Sequence, residues 1–274
     1  MNVENGYFEE KGLKIDKERV LTFSKIRCPL ECKYCFADDL NIEIEGDGTY
    51  LSKEQLDLLK KLPEEVKLIM LGCDTEFFLN KRESLETINE LAKFGRDISV
   101  VTKLPLSKDF IQKLSHINEE IGKSGNVMSI SVSIACLESA QKWEPKAPNP
   151  ELRIETLKSL HDMGIKTMTA IRPLLPDISN EEIEQIILST KDFCDGYYSG
   201  PLYLKRPDQK LLGHNLSELK IEEIKPHWMP DNNTFYKIEK YGQMEFLRQV
   251  VKKYGKNMFE GAAEGIKYLK NEKH

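Results

Sequence analysis

The chain has 274 residues, of which 40% are hydrophobic and 31% charged, and carries a formal net charge of −5. This balance supplies a sizeable core and excludes a disordered or collagen-like chain. No apolar run approaches the roughly 18 residues of a membrane span, the opening MNVENGYFEEKGLK is acidic where a secretory signal is basic then apolar, and the acidic sum excludes a surface built to coat nucleic acid. A cytoplasmic protein without membrane contact is expected.

From Glu18 the chain alternates short β-branched runs with amphipathic segments. ERVLTFSKI is followed by the helical pattern SKEQLDLLKKL, EVKLIMLG (from Glu65) by KRESLETINELAKFG, and DISVVTK (from Asp97) by LSKDFIQKLSHINEEIGKSG. NVMSISVSI (from Asn126) then precedes NPELRIETLKSLHDMG, KTMTAIRPLL (from Lys166) precedes SNEEIEQIILSTKDF, and GYYSGPLYL starts at Gly196. Several helical segments begin at Ser or Asn and end at Gly, the residues that cap free amides and allow a left-handed exit. Repeated strand-then-helix units imply a parallel sheet with right-handed crossovers, which fits either an open doubly wound sheet or a barrel. Six units end near Leu204. Residues 205–274 are expected to form a helical cap packed on residues 1–204 within the same domain; from Pro201 onward the chain holds 14 Lys or Arg against 10 Asp or Glu.

Of the six cysteines, Cys73, Cys136 and Cys194 are scattered, while Cys28, Cys32 and Cys35 form a CxxxCxxC group where the first strand ends. In parallel α/β folds that edge carries the active site. Three soft thiolates suit zinc or an iron–sulfur cluster. A closed zinc site takes four ligands, and no fourth Cys or His lies in this loop; a four-iron cluster held by three cysteines leaves one iron open.

With aromatic Tyr34 just before the last cysteine, this spacing resembles the signature of the radical SAM superfamily. The resemblance implies an α/β partial (β/α)6 TIM-like barrel and a [4Fe-4S] cluster on Cys28, Cys32 and Cys35. It also implies S-adenosylmethionine (SAM) at the open iron, cleaved by one electron to methionine and a 5′-deoxyadenosyl radical, and an electron donor such as flavodoxin or ferredoxin. GCDTEFF, the pair Thr102-Lys103, SISVSI, WEPKAPNPELR and GIKTMTAIRPLLP further resemble the spore photoproduct lyase-like branch. By that resemblance Cys73 returns a hydrogen atom to a product radical, Thr75 lies near the SAM amino group, Lys103 meets the SAM carboxylate, and Ser133 is another polar SAM contact.

Chemistry is consistent with these roles, since a thiol can give up hydrogen and an ammonium is a point-charge partner for a carboxylate. Ser129, Ser131 and Ser133 alternate with apolar residues and share one strand face. That face fits a lined barrel cavity, with Ser131 and Ser133 as cofactor contacts, or a half-exposed edge. Tyr197 and Tyr198 point to opposite faces, so only one can reach a cavity; Arg153 and Arg172 are carboxylate partners or surface ion pairs.

Two features depart from the lyase pattern: only 27 residues precede Cys28, and Glu76 and Phe77 stand where an aspartate and an aromatic-proline pair are usual. The expected substrate is therefore a compact metabolite or modified nucleotide. Nucleic acid, for which KRPDQK from Lys205 is the one short basic cluster near the expected barrel mouth, and a peptide are the alternatives; the non-enzymatic alternative is a zinc-binding module.

Overall fold

The computed structural model describes residues 3–24, 26–40, 48–207, 212, 216–230 and 233–271. After helix α1 (Val3–Glu10) come strands β1 (Leu13–Asp16) and β2 (Arg19–Thr22), then α2 (Lys53–Leu59), β3 (Leu68–Leu71), α3 (Lys81–Leu91), β4 (Asp97–Thr102), α4 (Lys108–Lys123) and β5 (Met128–Ser133). The short α5 (Ala140–Trp143), α6 (Pro150–Asp162), β6 (Lys166–Ile171), α7 (Asn180–Thr190) and β7 (Gly196–Ser199) complete the repeating part. Each predicted helix starts where its cap residue lies: Ser52, Asn80, Ser107, Asn149 and Ser179 all accept a backbone N–H of the first turn.

The eight-stranded sheet has the order β1-β2-β3-β4-β5-β6-β7 with β11 (Asn257–Phe259) at the far edge. β2 to β7 are the six predicted strands and run parallel; β1 joins β2 as an antiparallel hairpin and β11 adds in parallel to β7. The chain is thus the expected α/β partial barrel. β5 is central and all six of its residues are buried, so its serine face is not a half-exposed edge.

The C-terminal segment holds more than helices. GYYSGPLYL divides at Gly200-Pro201: β7 stays in the large sheet, and β8 (Leu202–Leu204) pairs with β10 (Phe235–Lys240), itself paired with β9 (Leu219–Ile224), in a separate antiparallel sheet. Proline lacks the N–H a ladder needs and ends one strand before the next. Helix α8 (Gln243–Lys253) leads to β11, and α9 (Ala262–Asn271) enters the concave side of the large sheet. There Ala262, Ile266 and Leu269 pack with Leu68, Met168, Ala170 and Tyr198. At its far end Lys270 pairs with Asp97 at 3.0 Å and donates to Asn126 at 3.3 Å. α9 therefore fills the barrel toward the amino ends of the strands and leaves space at their carboxyl ends.

One glycine fixes the loop that follows β3. Gly72 has φ +80°, and a Cβ there would lie 2.4 Å from the Val101 carbonyl oxygen. Gly72→Ala must both strain φ and push the loop off β4. A loss of about 1–3 kcal/mol is expected in urea unfolding, and an unchanged midpoint would refute the close approach.

Candidate active site

At the carboxyl ends of β2 to β7 lies a cavity of about 230 Å³. The cysteine loop that leaves β2 forms one wall: Cys32 is buried, Cys28 and Cys35 are half-buried, and all three line the space. The loop is tightly turned. Cys35 N–H donates to the Cys32 carbonyl at 2.9 Å, and Glu31 takes a left-handed φ of 44° while pairing with Lys146 at 2.6 Å. Burial pushes the Cys35 thiol up to about 12 and raises Cys32 as well, with the Lys103 charge opposing the rise at Cys32.

The segment 143–153 clamps this loop. Lys33 N–H donates to the Trp143 carbonyl at 2.9 Å, and the Tyr34 hydroxyl donates to the Glu144 carboxylate. Glu144 pairs in turn with Arg153 at 2.6 Å, both side chains wholly inaccessible to solvent. Arg153 also donates to the carbonyls of Ser133 (3.1 Å) and Pro148 (2.8 Å), tying the loop to the end of β5. WEPKAPNPELR thus supplies a buried charged bracket, and Arg153 is neither a surface ion pair nor a free carboxylate binder.

The loop after β3 presents Cys73, Asp74, Thr75 and Glu76 to the cavity. The Glu76 carboxylate accepts the Thr102 hydroxyl and the Lys103 N–H, both at 2.7 Å, which fixes the β3 and β4 loops together. Cys73 donates weakly to the Met70 carbonyl at 3.5 Å, and burial pushes its thiol up to about 12. Burial likewise pushes the Asp74 carboxyl up to about 7. The folded chain then holds this proton more tightly than the unfolded chain, whose value is about 4. Stability from this group is greatest below about pH 4, falls as pH rises to about 7, and is level above. Asp74→Asn should flatten that fall, as read from urea midpoints at about pH 5 and about pH 8.

Lys103 reaches the same space with its ammonium 5.6 Å from the centre of the Tyr34 ring. Burial works against its charge, yet Glu144, Cys32 and Glu76 together hold its pKa above the ordinary lysine value. Ser133 lines the cavity; Ser131, expected as a second contact, is buried outside the lining, toward the Tyr198 phenol but without a hydrogen bond of ordinary geometry. Ser129 is buried nearer the start of the strand, outside the cavity lining. Tyr198 faces the cavity, while Tyr197 faces outward and shares a hydrogen bond with Thr190 at 2.9 Å.

The residues fit both implied groups. Three thiols line one space, a soft donor set of the kind a four-iron cluster takes with one iron left open. On the cavity wall, buried oxygens of Asp74 and Thr75 have no hydrogen-bond partner, an arrangement suited to a polar ligand.

Cys28, Cys32, Cys35, Tyr34, Cys73, Thr75, Lys103 and Ser133, chosen from sequence, thus share one cavity. Sequence reasoning missed Asp74, which lies within the quoted GCDTEFF, and the wall of Tyr203 and Trp228, which only the C-terminal chain path brings here. Of KRPDQK, residues 208–210 lie outside the described residues.

These features define an α/β partial-barrel protein with its chemistry at the carboxyl edge of the strands. The sequence model of the Radical SAM superfamily matches residues 25–189, and the chain belongs to that superfamily. Membership indicates an enzyme, and the superfamily uses SAM and a [4Fe-4S] cluster. An uncharacterized protein of Methanocaldococcus jannaschii is 28% identical over 201 residues, covering 70% of this chain and 73% of that one. SuiB of Streptococcus suis, solved with SAM and with its precursor peptide SuiA, shares the fold at TM-scores of 0.57 and 0.59 and 13% identity. The matches cover 92% of this chain and only 52% and 50% of SuiB, so the chain spans about half of SuiB's length. Spore photoproduct lyase complexed with dinucleoside spore photoproduct shares the fold at a TM-score of 0.55 and 10% identity, covering 86% of this chain and 75% of that one. Among the described residues no helix is long and apolar enough to cross a membrane.

Proposed function

We propose that Cys28, Cys32 and Cys35 hold one [4Fe-4S] cluster, that SAM lies along the Lys103 side of the cavity, and that the enzyme removes a hydrogen atom from a compact organic substrate. The observation that carries this reading is the shared cavity of the three thiols, the Lys103 ammonium and the unpartnered Thr75 hydroxyl. When bound, the cluster and SAM supply one-electron cleavage of a carbon–sulfur bond and, with it, hydrogen-atom abstraction.

The chain's own residues position and protect. Lys103, held charged, binds the SAM carboxylate; Ser133 and Thr75 offer hydroxyls to its polar end, and Asp74, whose proton burial holds up to about pH 7, releases it to meet the positive charge. Tyr34 is held by Glu144 and packs the Lys103 ammonium against the cluster loop. Cys73 remains a protonated thiol across the physiological range, which suits a hydrogen-atom donor and not a nucleophile. The net acidic charge of the chain, which supplies no broad basic surface for phosphates, supports a metabolite or modified nucleotide; a lesion in nucleic acid and a peptide are second readings, each motivated by a fold neighbour.

The first test is anaerobic purification followed by SAM and dithionite. Brown protein that releases 5′-deoxyadenosine only with both reagents supports the reading, whereas colourless protein with one zinc supports the binding-module alternative. Lys103→Ala should keep the cluster spectrum and weaken SAM binding about 10- to 100-fold, the loss of one charge-assisted contact. Unchanged SAM affinity in calorimetry would remove Lys103 from that role.

A further inference from the structure

The cavity holds a second cation whose role the SAM reading leaves unassigned. Arg172 follows β6 directly and lines the space on the side of Tyr203 and Trp228, away from the cysteine-loop clamp. Its guanidinium carbon lies 5.6 Å from the centre of the Trp228 ring, and Trp228 is itself wedged edge-on against Phe36 and Tyr203 at 5.2 and 5.7 Å. The chain leaves room for this group. A Cβ on Gly200 would come within 3.1 Å of the Arg172 Nε, and one on Gly261 within 3.9 Å of an Nη.

No carboxylate among the described residues lies within ion-pair distance of Arg172, whereas Arg19, also on the cavity wall, is held by Asp16 at 2.6 Å. Of the carboxylates that the loop after β3 brings to the cavity wall, Glu76 is engaged by Thr102 and the Lys103 amide, and Asp74 accepts the Ser24 hydroxyl at 3.5 Å. A half-buried guanidinium stacked on an aromatic face, with its donor fork turned to a cavity and no internal anion, is arranged to receive one from outside.

We infer that Arg172 is the substrate-anchoring residue of this cavity, and that the substrate carries a carboxylate or a phosphate which the Arg172 fork receives beside Trp228. This inference rests on the proposed radical chemistry for the word substrate, though the anion subsite itself does not. It divides the cavity into two ends. Lys103 with Tyr34 takes the SAM carboxylate near the cysteine loop, and Arg172 with Trp228 takes the acidic group of the second molecule on the side where Cys73, Tyr203 and Trp228 each pack against one apolar cluster. The charges thereby discriminate: an anion on Arg172 presents the rest of a compact molecule to the space between Cys73 and the SAM end. A neutral substrate would leave the guanidinium unpaired and so bind less well.

The test uses the full chain, purified anaerobically, titrated with inorganic phosphate and separately with acetate at constant ionic strength set by chloride. Trp228 is the natural reporter, because the only other tryptophan, Trp143, is wholly buried and bonded to Asp177 at 2.8 Å. Saturable change of tryptophan emission is expected, with loss of the response in Trp228→Phe. Calorimetry should show at least about tenfold weaker phosphate binding in Arg172→Gln, and a smaller loss in Arg172→Lys, which keeps the charge but not the planar fork. Binding of phosphate without acetate assigns a phosphorylated substrate, and binding of both admits a carboxylate. No binding above the chloride reference, or equal binding by wild type and a folded Arg172→Gln, would overturn the inference. The same wild-type preparation separates the two readings: phosphate binding through Arg172 with no 5′-deoxyadenosine release retires the radical chemistry alone, and the reverse retires the anion subsite alone.

Discussion

Replacing Cys28, Cys32 and Cys35 together with Ala is expected to take bound iron from about four per chain to none and to abolish 5′-deoxyadenosine release. The three thiols are the only soft ligands in their loop, and the scattered Cys136 and Cys194 are buried elsewhere and do not line the cavity. The chain should nevertheless fold, because the loop is fastened by Tyr34, Lys33 and Glu31 and not by the cysteines. Iron analysis, absorbance near the cluster bands and far-ultraviolet circular dichroism together read this outcome. Iron and SAM cleavage retained in the triple variant would end the cluster assignment.

The largest stability effect is expected at the clamp. Glu144→Ala leaves Arg153 without its carboxylate in a wholly buried position, and breaking a buried pair from one side costs about 3–5 kcal/mol. Arg153 would keep its two carbonyl acceptors, so the loss should lie toward the lower part of that range. Glu144→Gln, which keeps an acceptor for Tyr34 and Arg153 but removes the charge, should lose less. Replacing both residues by apolar ones should cost less than the two single changes summed, since the second change removes the charge that the first strands. Urea midpoints of wild type, Glu144→Ala, Arg153→Leu and the double variant test this; strict additivity would show that the pair is not coupled. Glu144→Ala should also slow cluster loading, because the Tyr34 hydroxyl loses its anchor.

The strand-helix alternation was legible because β2 to β7 are each bounded by a capped helix, and periodicity changes sharply at Ser52, Asn80, Ser107, Asn149 and Ser179. β8 was not, because Gly200-Pro201 sits inside a continuous aromatic and aliphatic run whose alternation gives no sign that the chain changes sheets. β11 is three residues long, too short for any period, and takes its place from β7 by long-range pairing. The amphipathic pattern of α9 announces a helix and not its location, since an apolar face looks alike whether it covers a barrel or fills one.

The site divides in the same way. The cysteine spacing is local and therefore visible, as is the serine alternation of β5. Glu144 and Arg153 read as ordinary solvated charges until the fold buries both, and Asp74 acquires its raised carboxyl only from the surroundings the fold supplies. Trp228 and Tyr203 face Arg172 across a separation in sequence that no motif spans.

Because α9 occupies the lower barrel and its first residue, Ala262, forms part of the cavity wall, the chamber has a movable floor in the evolutionary sense. The side chain at 262 acts as a depth gauge. A methyl group there admits a longer molecule, and a leucine or phenylalanine would shorten the admissible length without touching the cysteine loop, Lys103 or Arg172. Relatives of this fold could thus retune which molecules they accept by exchanging one small residue at the top of a helix, while the reacting end of the chamber stays as it is.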